Sequence, residues 1–331
     1  MLGSMEYHGR IAQGCASFSW GNDLNTIFEI LSQRFDGFND NGFYAHPDEV
    51  ALRQELKEVP ILRRLAEHIH ALDAHGLVLR NLGLSGLPEA RRNAALYALT
   101  LMLGYPTSTD QRTGRVAWDV KARPQTGDDG RFVTFSERVG SADMHTDSSF
   151  YPMPEERFVL YVVRAARCDG GHSVLISADD LHRALHRTPE GASAFALLSA
   201  TPVPFRVPAV YAAGDEQLEV HVAQVFTPSG LQNERFTMRW RYDSIKKGLA
   251  ACPDLSSPEL VQAVEIVHCV AEQEARRYME QLPTDTLMLA DNHRMLHGRT
   301  TYTDERRHLI RIRMSTVPNA ERVGPSGVVQ D

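Results

Sequence analysis

The helical patterns of this chain crowd into its first hundred residues, and the strand patterns come after them. In residues 22–35, Leu24, Ile27, Phe28, Ile30 and Leu31 fall on one stripe, as an amphipathic helix requires. A second helical region covers 48–73, and Pro60 divides it, because proline removes a backbone donor and clashes with the preceding turn. After His75-Gly76 a short buried strand is expected at 77–79, then a helix over 88–103 opened by Pro88 and closed by Gly104.

From 107 to 142 the texture is irregular and rich in Gly, Pro, Asp and Thr, with strand candidates at 116–120 and 131–135. Long irregular stretches inside compact domains are usually functional or mobile. Strands are expected at 158–163 and 173–177, flanking the turn signal Asp169-Gly170-Gly171, with one or two helices in 179–199. Further strands are expected at 218–226 and 235–243. In the second, Phe236, Met238, Trp240 and Tyr242 face one way and Arg235, Thr237, Arg239 and Arg241 the other. An amphipathic helix over 257–282 carries Leu260, Val264, Val267, Val270 and Ala271 on its stripe and precedes the last strands, 286–290 and 308–314.

Helices first, short strands next and a helix inserted before the final strands indicate an α+β fold. The regular strand–helix alternation and glycine-rich first turn of a doubly wound nucleotide fold are missing. The broken strands suit a curled antiparallel sandwich or barrel with helices outside. The expected organisation is a single domain over 1–331: a helical addition over 1–75, a core over 76–315 with its helical insert at 256–282, and a tail at 316–331.

Composition excludes several classes. No run approaches the roughly 18–20 apolar residues that span a membrane, and residues 1–10 lack the apolar segment of a secretory leader. Met1 to Ser4 read as an expression remnant. The net charge is −7 with no basic run, which argues against a nucleic-acid partner. Cys15, Cys168, Cys252 and Cys269 are scattered without a CxxC pair, which suits a reducing cytoplasm. A small-molecule substrate, taken by a monomer or a homo-oligomer, is the expected partner.

His145 and Asp147 are two residues apart, so on a strand their side chains share one face and can grip one metal ion. Two ligands underfill a site. The best third is His297, just past the 286–290 strand, with His293 its rival in the Asp-Asn-His turn. His68, His70, His182, His186 and His221 lack a suitable carboxylate partner and read as surface or core histidines. Two histidines and a carboxylate form the facial triad of non-haem Fe(II) oxygenases, whose open positions take a chelating keto acid and O₂.

In the segment from Arg307 to Met314, Arg307, Leu309, Arg311 and Arg313 share one face. Three arginines there mean either a solvated edge strand or an anion clamp, since guanidinium grips carboxylate bidentately. As a clamp, Arg307 would hold the distal carboxylate of the keto acid, and the Ser173 hydroxyl, after Gly170-Gly171-His172, would be its second contact. Two other readings stay open. One is a zinc-dependent hydrolase or isomerase, because zinc accepts the same ligand set. The other is a non-catalytic small-molecule binding protein.

The four motifs HTD at 145–147, GGHS at 170–173, HGR at 297–299 and RHLIR at 307–311 resemble the taurine dioxygenase and clavaminate synthase group of Fe(II)/2-oxoglutarate oxygenases. The resemblance runs from about Gly76 to about Ser315 and implies a distorted double-stranded β-helix, a jelly-roll (cupin-like) core with flanking helices. It implies iron(II) held by His145, Asp147 and His297, with 2-oxoglutarate and O₂ as co-substrates and succinate and CO₂ released. Arg307 matches the arginine that binds 2-oxoglutarate, and Ser173 stands where many members have threonine. Arg311 matches an arginine that contacts an anionic group of the substrate, such as a free amino acid. Relatives that halogenate lack the carboxylate at the position of Asp147, so this chain is similar to the hydroxylases. Trp118, Phe135, Ser136, Ser148 and Phe150 flank the metal motif where the family builds its substrate pocket, with ordinary core packing as the competing role. Residues 107–129 and the loop after Ser199 are candidate lids.

Overall fold

The structure is a computed structural model that describes residues 2–8, 10–35, 48–72, 74–108, 114–122, 135–208, 219–228 and 236–322. The chain opens with β1 (Glu6–His8) and β2 (Ile11–Cys15), followed by α1 (Asp23–Arg34), α2 (Glu49–Leu56), α3 (Pro60–His70), β3 (Gly76–Arg80) and α4 (Glu89–Leu103). The strands β4 (Tyr105–Pro106), β5 (Trp118–Lys121), β6 (Ala142–His145), β7 (Arg157–Arg164) and β8 (Ser173–Ser177) lead into α5 (Ala178–Leu185) and α6 (Pro189–Ala200). Next come β9 (Val203–Arg206), β10 (Val220–Ala223), β11 (Phe226–Pro228), β12 (Phe236–Met238), α7 (Tyr242–Ala251) and α8 (Pro258–Glu274). The last strands are β13 (Met279–Glu280), β14 (Leu287–Asp291), β15 (Met295–Arg299) and β16 (His308–Ser315).

Among the described residues the strands form two main sheets and two ribbons. The larger sheet runs β1-β2-β3-β14-β7-β16-β4, with β5 also paired to β16, and the smaller runs β13-β8-β15-β6. The alternation of side chains explains how they stack. Leu309 joins Val78, Phe158 and Met288 of the larger sheet and Leu175 and Met295 of the smaller in a core between the two. Its neighbours Ile310 and Ile312 turn the other way and pack with Ile27, Leu62 and Leu99 of the N-terminal helices. Val174, Ile176 and Leu296 of the smaller sheet likewise pack on Leu181, Leu198, Val264 and Val267 of the later helices. The fold is thus α+β, with helices outside and two sheets facing each other. Among the described residues no helix is long and apolar enough to cross a membrane.

Several expectations need correction. Residues 6–15, expected in the helical addition, form β1 and β2, and β2 runs parallel to β3 with Ile11 opposite Gly76. The strand expected over 235–243 ends at Met238. Arg241 leaves the ladder to bridge His145, and Tyr242 opens α7; Phe236, Met238 and Trp240 nevertheless are buried as the alternation required. The strand expected over 218–226 is two, β10 and β11. The helix expected over 257–282 stops at Glu274, because Met279 and Glu280 are drawn into pairing with Val174 and Ser173. β15 was not anticipated. The strand candidate at 131–135 lies outside the described residues except for Phe135, which begins a 3-10 turn (Phe135–Glu137).

Asp285 anchors the larger sheet. Its carboxylate accepts from the backbone N–H of Gly83 (2.8 Å), Leu84 (2.9 Å) and Ser85 (3.1 Å) and from the Tyr161 hydroxyl (2.8 Å). Asp285→Ala strands these donors, of which the Leu84 and Tyr161 bonds are buried, and should lower stability by about 3 kcal/mol or more. Urea unfolding checks this; a loss of about 0.5 kcal/mol or less, as at an ordinary surface site, would contradict it.

Candidate metal centre

β6 and β15 are neighbours, and His145 and His297 lie directly opposite each other across that antiparallel pair. Their rings therefore emerge on the same side, with centroids 4.2 Å apart. Asp147 follows in the turn after β6. Thr146 fixes that turn: its N–H donates to Trp240 O (2.8 Å), and its Oγ1 accepts from the Trp240 N–H (3.0 Å). Asp147 Oδ1 is 3.9 Å from His145 Nε2 and 4.0 Å from His297 Nε2. One donor atom from each of the three lies within 4.8 Å of the others, the only such group of three or more His, Cys, Asp or Glu side chains among the described residues. His293 does not join them; its Nε2 lies 3.3 Å from Pro154 O.

The protonation states suit a cation. The three side chains are buried between the sheets. Burial pushes the His145 imidazolium well below its ordinary value, helped by His297 and Arg241. Burial likewise lowers His297 to about 4, although Asp147 pulls the other way. Burial pushes the Asp147 carboxyl up, but Arg311, His297, Arg313 and His145 together hold it well below the usual carboxylate range. Two neutral imidazoles and one carboxylate result, the forms that coordinate a metal. His145 Nδ1 lies 2.8 Å from Asp143 O, which as a donor leaves Nε2 for coordination. Asp147 Oδ2 is buried without a hydrogen-bond partner. This donor set fits a divalent transition metal with open positions.

Arg311 and Arg313 of β16, and Arg307 just before it, do not lie on a solvated edge. The strand is paired with β7 on one side and with β4 and β5 on the other. Arg307 is 5% exposed. Its guanidinium lies 5.1 Å from the Tyr302 ring centroid, and its Nη1 has no hydrogen-bond partner. Among the described residues no carboxylate forms an ion pair with it, and burial, with Arg299 next, lowers it to about 10. Gly171, in the left-handed region (φ 68°), lets it approach: a Cβ there would come within 3.2 Å of Arg307 Cδ and Nε. Ser173 is buried two residues on, opposite Arg299 of β15.

Arg311 donates from Nη1 to Asp147 Oδ1 (3.2 Å) and lies opposite Trp118 across β5 and β16. Trp118 Nε1 in turn donates to Ser136 Oγ (3.2 Å). Of these three, Arg311 touches the carboxylate, Trp118 is its cross-strand neighbour and Ser136 is bonded to Trp118. Ser148 and Phe150 are engaged elsewhere. Ser148 accepts from Arg313, which faces Glu155 Oε2 at 3.6 Å. Phe150 packs in the core on the helical side of the smaller sheet, 4.7 Å from the Tyr151 ring. Of the candidate lids, 109–113, 123–129 and 209–218 lie outside the described residues. Sequence reasoning gave no role to Arg299, the last residue of the HGR motif, which donates to the backbone oxygens of Arg138 and Gly140, or to Asn292, which contacts Asp147. The only pointer to Asn292 was the Asp-Asn-His turn.

Comparison with solved structures shows the same fold in an asparagine oxygenase in complex with Fe(II), 2S,3S-3-hydroxyasparagine and succinate. That likeness has a TM-score of 0.63 at 16% identity and covers 92% of this chain and 93% of that one. The non-heme iron oxygenase OrfP in complex with Fe and alpha-ketoglutaric acid gives a TM-score of 0.60 at 14% identity, over 95% of this chain and 98% of that one. OrfP with Fe, succinate and (3R,4R)-dihydroxy-L-Arg gives 0.61 at 14%, over 92% and 94%. Comparison with curated proteins finds no match. A family match, by contrast, runs over residues 49–313 and takes in all four motifs: the chain belongs to the taurine catabolism dioxygenase TauD, TfdA family.

Proposed function

We propose that this protein is an iron(II)- and 2-oxoglutarate-dependent dioxygenase that hydroxylates a small carboxylate-bearing molecule, with free amino acids as the favoured class. The observation that carries the reading is the buried His145–Asp147–His297 group, supported by a second buried feature, the Arg307 guanidinium, which has no carboxylate partner among the described residues. A zinc hydrolase or isomerase has no need of the second element, and the intact ligand set argues against a simple binding protein. The fold is read as a distorted double-stranded β-helix within a single domain. The related structures support the substrate class, one holding a hydroxylated asparagine and the other a hydroxylated arginine. Four free cysteines suit a reducing cytoplasm.

Each residue has a defined task. His145, Asp147 and His297 would hold the metal. When bound there, iron(II) with 2-oxoglutarate and O₂ supplies an oxidant able to take hydrogen from an unactivated carbon, with succinate and CO₂ as by-products. Arg307 grips the distal carboxylate of the keto acid, and the Ser173 hydroxyl donates to it. Arg311 anchors the anionic group of the substrate, flanked by Trp118 and Ser136. The retained carboxylate at Asp147 supports hydroxylation. Burial of the group excludes water from the reaction.

A panel of amino acids and small natural-product acids, assayed for succinate release with Fe(II), 2-oxoglutarate and O₂, tests the reading. At least one carboxylate-bearing compound should raise succinate release well above the substrate-free rate and gain one oxygen atom by mass. No stimulation across the panel, with a neutral or cationic compound lacking a carboxylate oxidised instead, would contradict the substrate class.

A further inference from the structure

Asp147 is held through its main chain by a single side chain. Asn292, 1% exposed, accepts the Asp147 N–H at Oδ1 (2.7 Å) and donates from Nδ2 to Asp147 O (3.0 Å). The same Nδ2 donates to Glu155 O (2.8 Å). One carboxamide thus satisfies both backbone groups of the carboxylate-bearing residue. Asn292 is itself fixed, because its N–H donates to Glu156 O (2.8 Å) and the turn around it closes through Arg294 N to Asp291 O (3.1 Å). This turn joins β14 to β15, the strand that carries His297. The segment that delivers the third member of the group therefore also clasps the second.

The residue after Asp147 makes that clasp consequential. Ser148 lies at φ 56°, a left-handed conformation that a non-glycine residue holds only when its surroundings impose it. Without the clasp, Asp147 and Ser148 are free to relax toward ordinary backbone angles, and the carboxylate swings with them. We propose that Asn292 is a positioning residue: its carboxamide sets the direction of the Asp147 carboxylate relative to the two imidazoles before any metal arrives. The inference rests on the metal reading given above. Asn292 touches neither metal nor substrate, and its effect passes through Asp147.

The test is cobalt(II) binding, followed by calorimetry and by the visible d–d band, on the wild type, Asn292→Ser and Thr107→Val. Thr107 is fully buried and donates from Oγ1 to Glu155 Oε1 (3.1 Å). Its replacement removes a buried hydrogen bond from the same neighbourhood but leaves the Asp147 main chain clasped. Asn292→Ser should weaken cobalt binding by about 10–100-fold, the usual range for residues that orient a ligand, and should shift the d–d band. Thr107→Val should lose stability but bind cobalt as the wild type does, with an unchanged band. If Asn292→Ser does not fold, Asn292→Thr, which keeps a hydroxyl and more volume, is read in its place. Wild-type affinity and an unchanged band in the Asn292 variant would overturn the inference, as would an equal loss in Thr107→Val. A wild-type protein that takes up no cobalt would overturn the metal reading itself, and this inference with it.

Discussion

Replacing Asp147 with alanine should lower substrate oxidation by about a thousandfold or more, which corresponds to about 4 kcal/mol in the barrier. Asp147 is the only anion in the group, and the two imidazoles beside it are held neutral by burial. Arg311 donates directly to its carboxylate, and Arg313 also lies close enough to favour its ionisation. Without it the cavity keeps its buried guanidinium groups and loses the charge that offsets them. A divalent cation then enters a positive site with two ligands instead of three. Asp147→Asn keeps the shape and removes the charge, so its metal affinity should fall as well. The check is parallel measurement of succinate release and metal content. An alanine variant that kept both would mean the carboxylate is not a ligand.

Arg307→Ala should raise the KM for 2-oxoglutarate by about 10²–10³-fold, with a smaller change in kcat. Breaking a buried charged pair from one side costs about 3–5 kcal/mol, and every 1.4 kcal/mol is tenfold. The pair in question forms only with the keto acid present, because Arg307 has no carboxylate partner among the described residues. Arg307→Lys should restore part of the affinity, since an ammonium supplies charge without the two-toothed geometry. Steady-state kinetics with varied 2-oxoglutarate separates the cases. An unchanged KM in Arg307→Ala, with a raised one in Arg311→Ala, would move the co-substrate clamp to Arg311.

Much of this arrangement was legible because strands have a period of two. The alternation after Arg307 correctly separated the inward-facing Leu309 from Ile310, Ile312 and Met314, which pack on the N-terminal helices. His145 and Asp147 do come together, though not by that period, because β6 ends at His145 and Asp147 lies in the turn after it. What failed to show was structure decided by partners distant in sequence. Met295–Arg299 reads poorly as a strand, yet it is clamped between β8 and β6. Gly298 is required there, because a Cβ would come within 2.7 Å of Ala142 O. Glu6–His8 is exposed along its length and joins the sheet only through β2. The alternation after Phe236 pointed to a longer strand, but pairing with β11 stops at Met238 and Arg241 bridges His145 instead. Asn292 acts on a residue 145 positions away, and no local pattern announces such a contact.

The central claim is that three side chains cap one face of an iron(II) ion and leave room for a chelating keto acid. Anaerobic addition of Fe(II), then 2-oxoglutarate, to the metal-free protein tests it most directly. The account predicts a weak visible metal-to-ligand absorption band that grows with 2-oxoglutarate and saturates at one equivalent of iron per chain. Iron that binds without any such band, while 2-oxoglutarate stays free in solution, would contradict it.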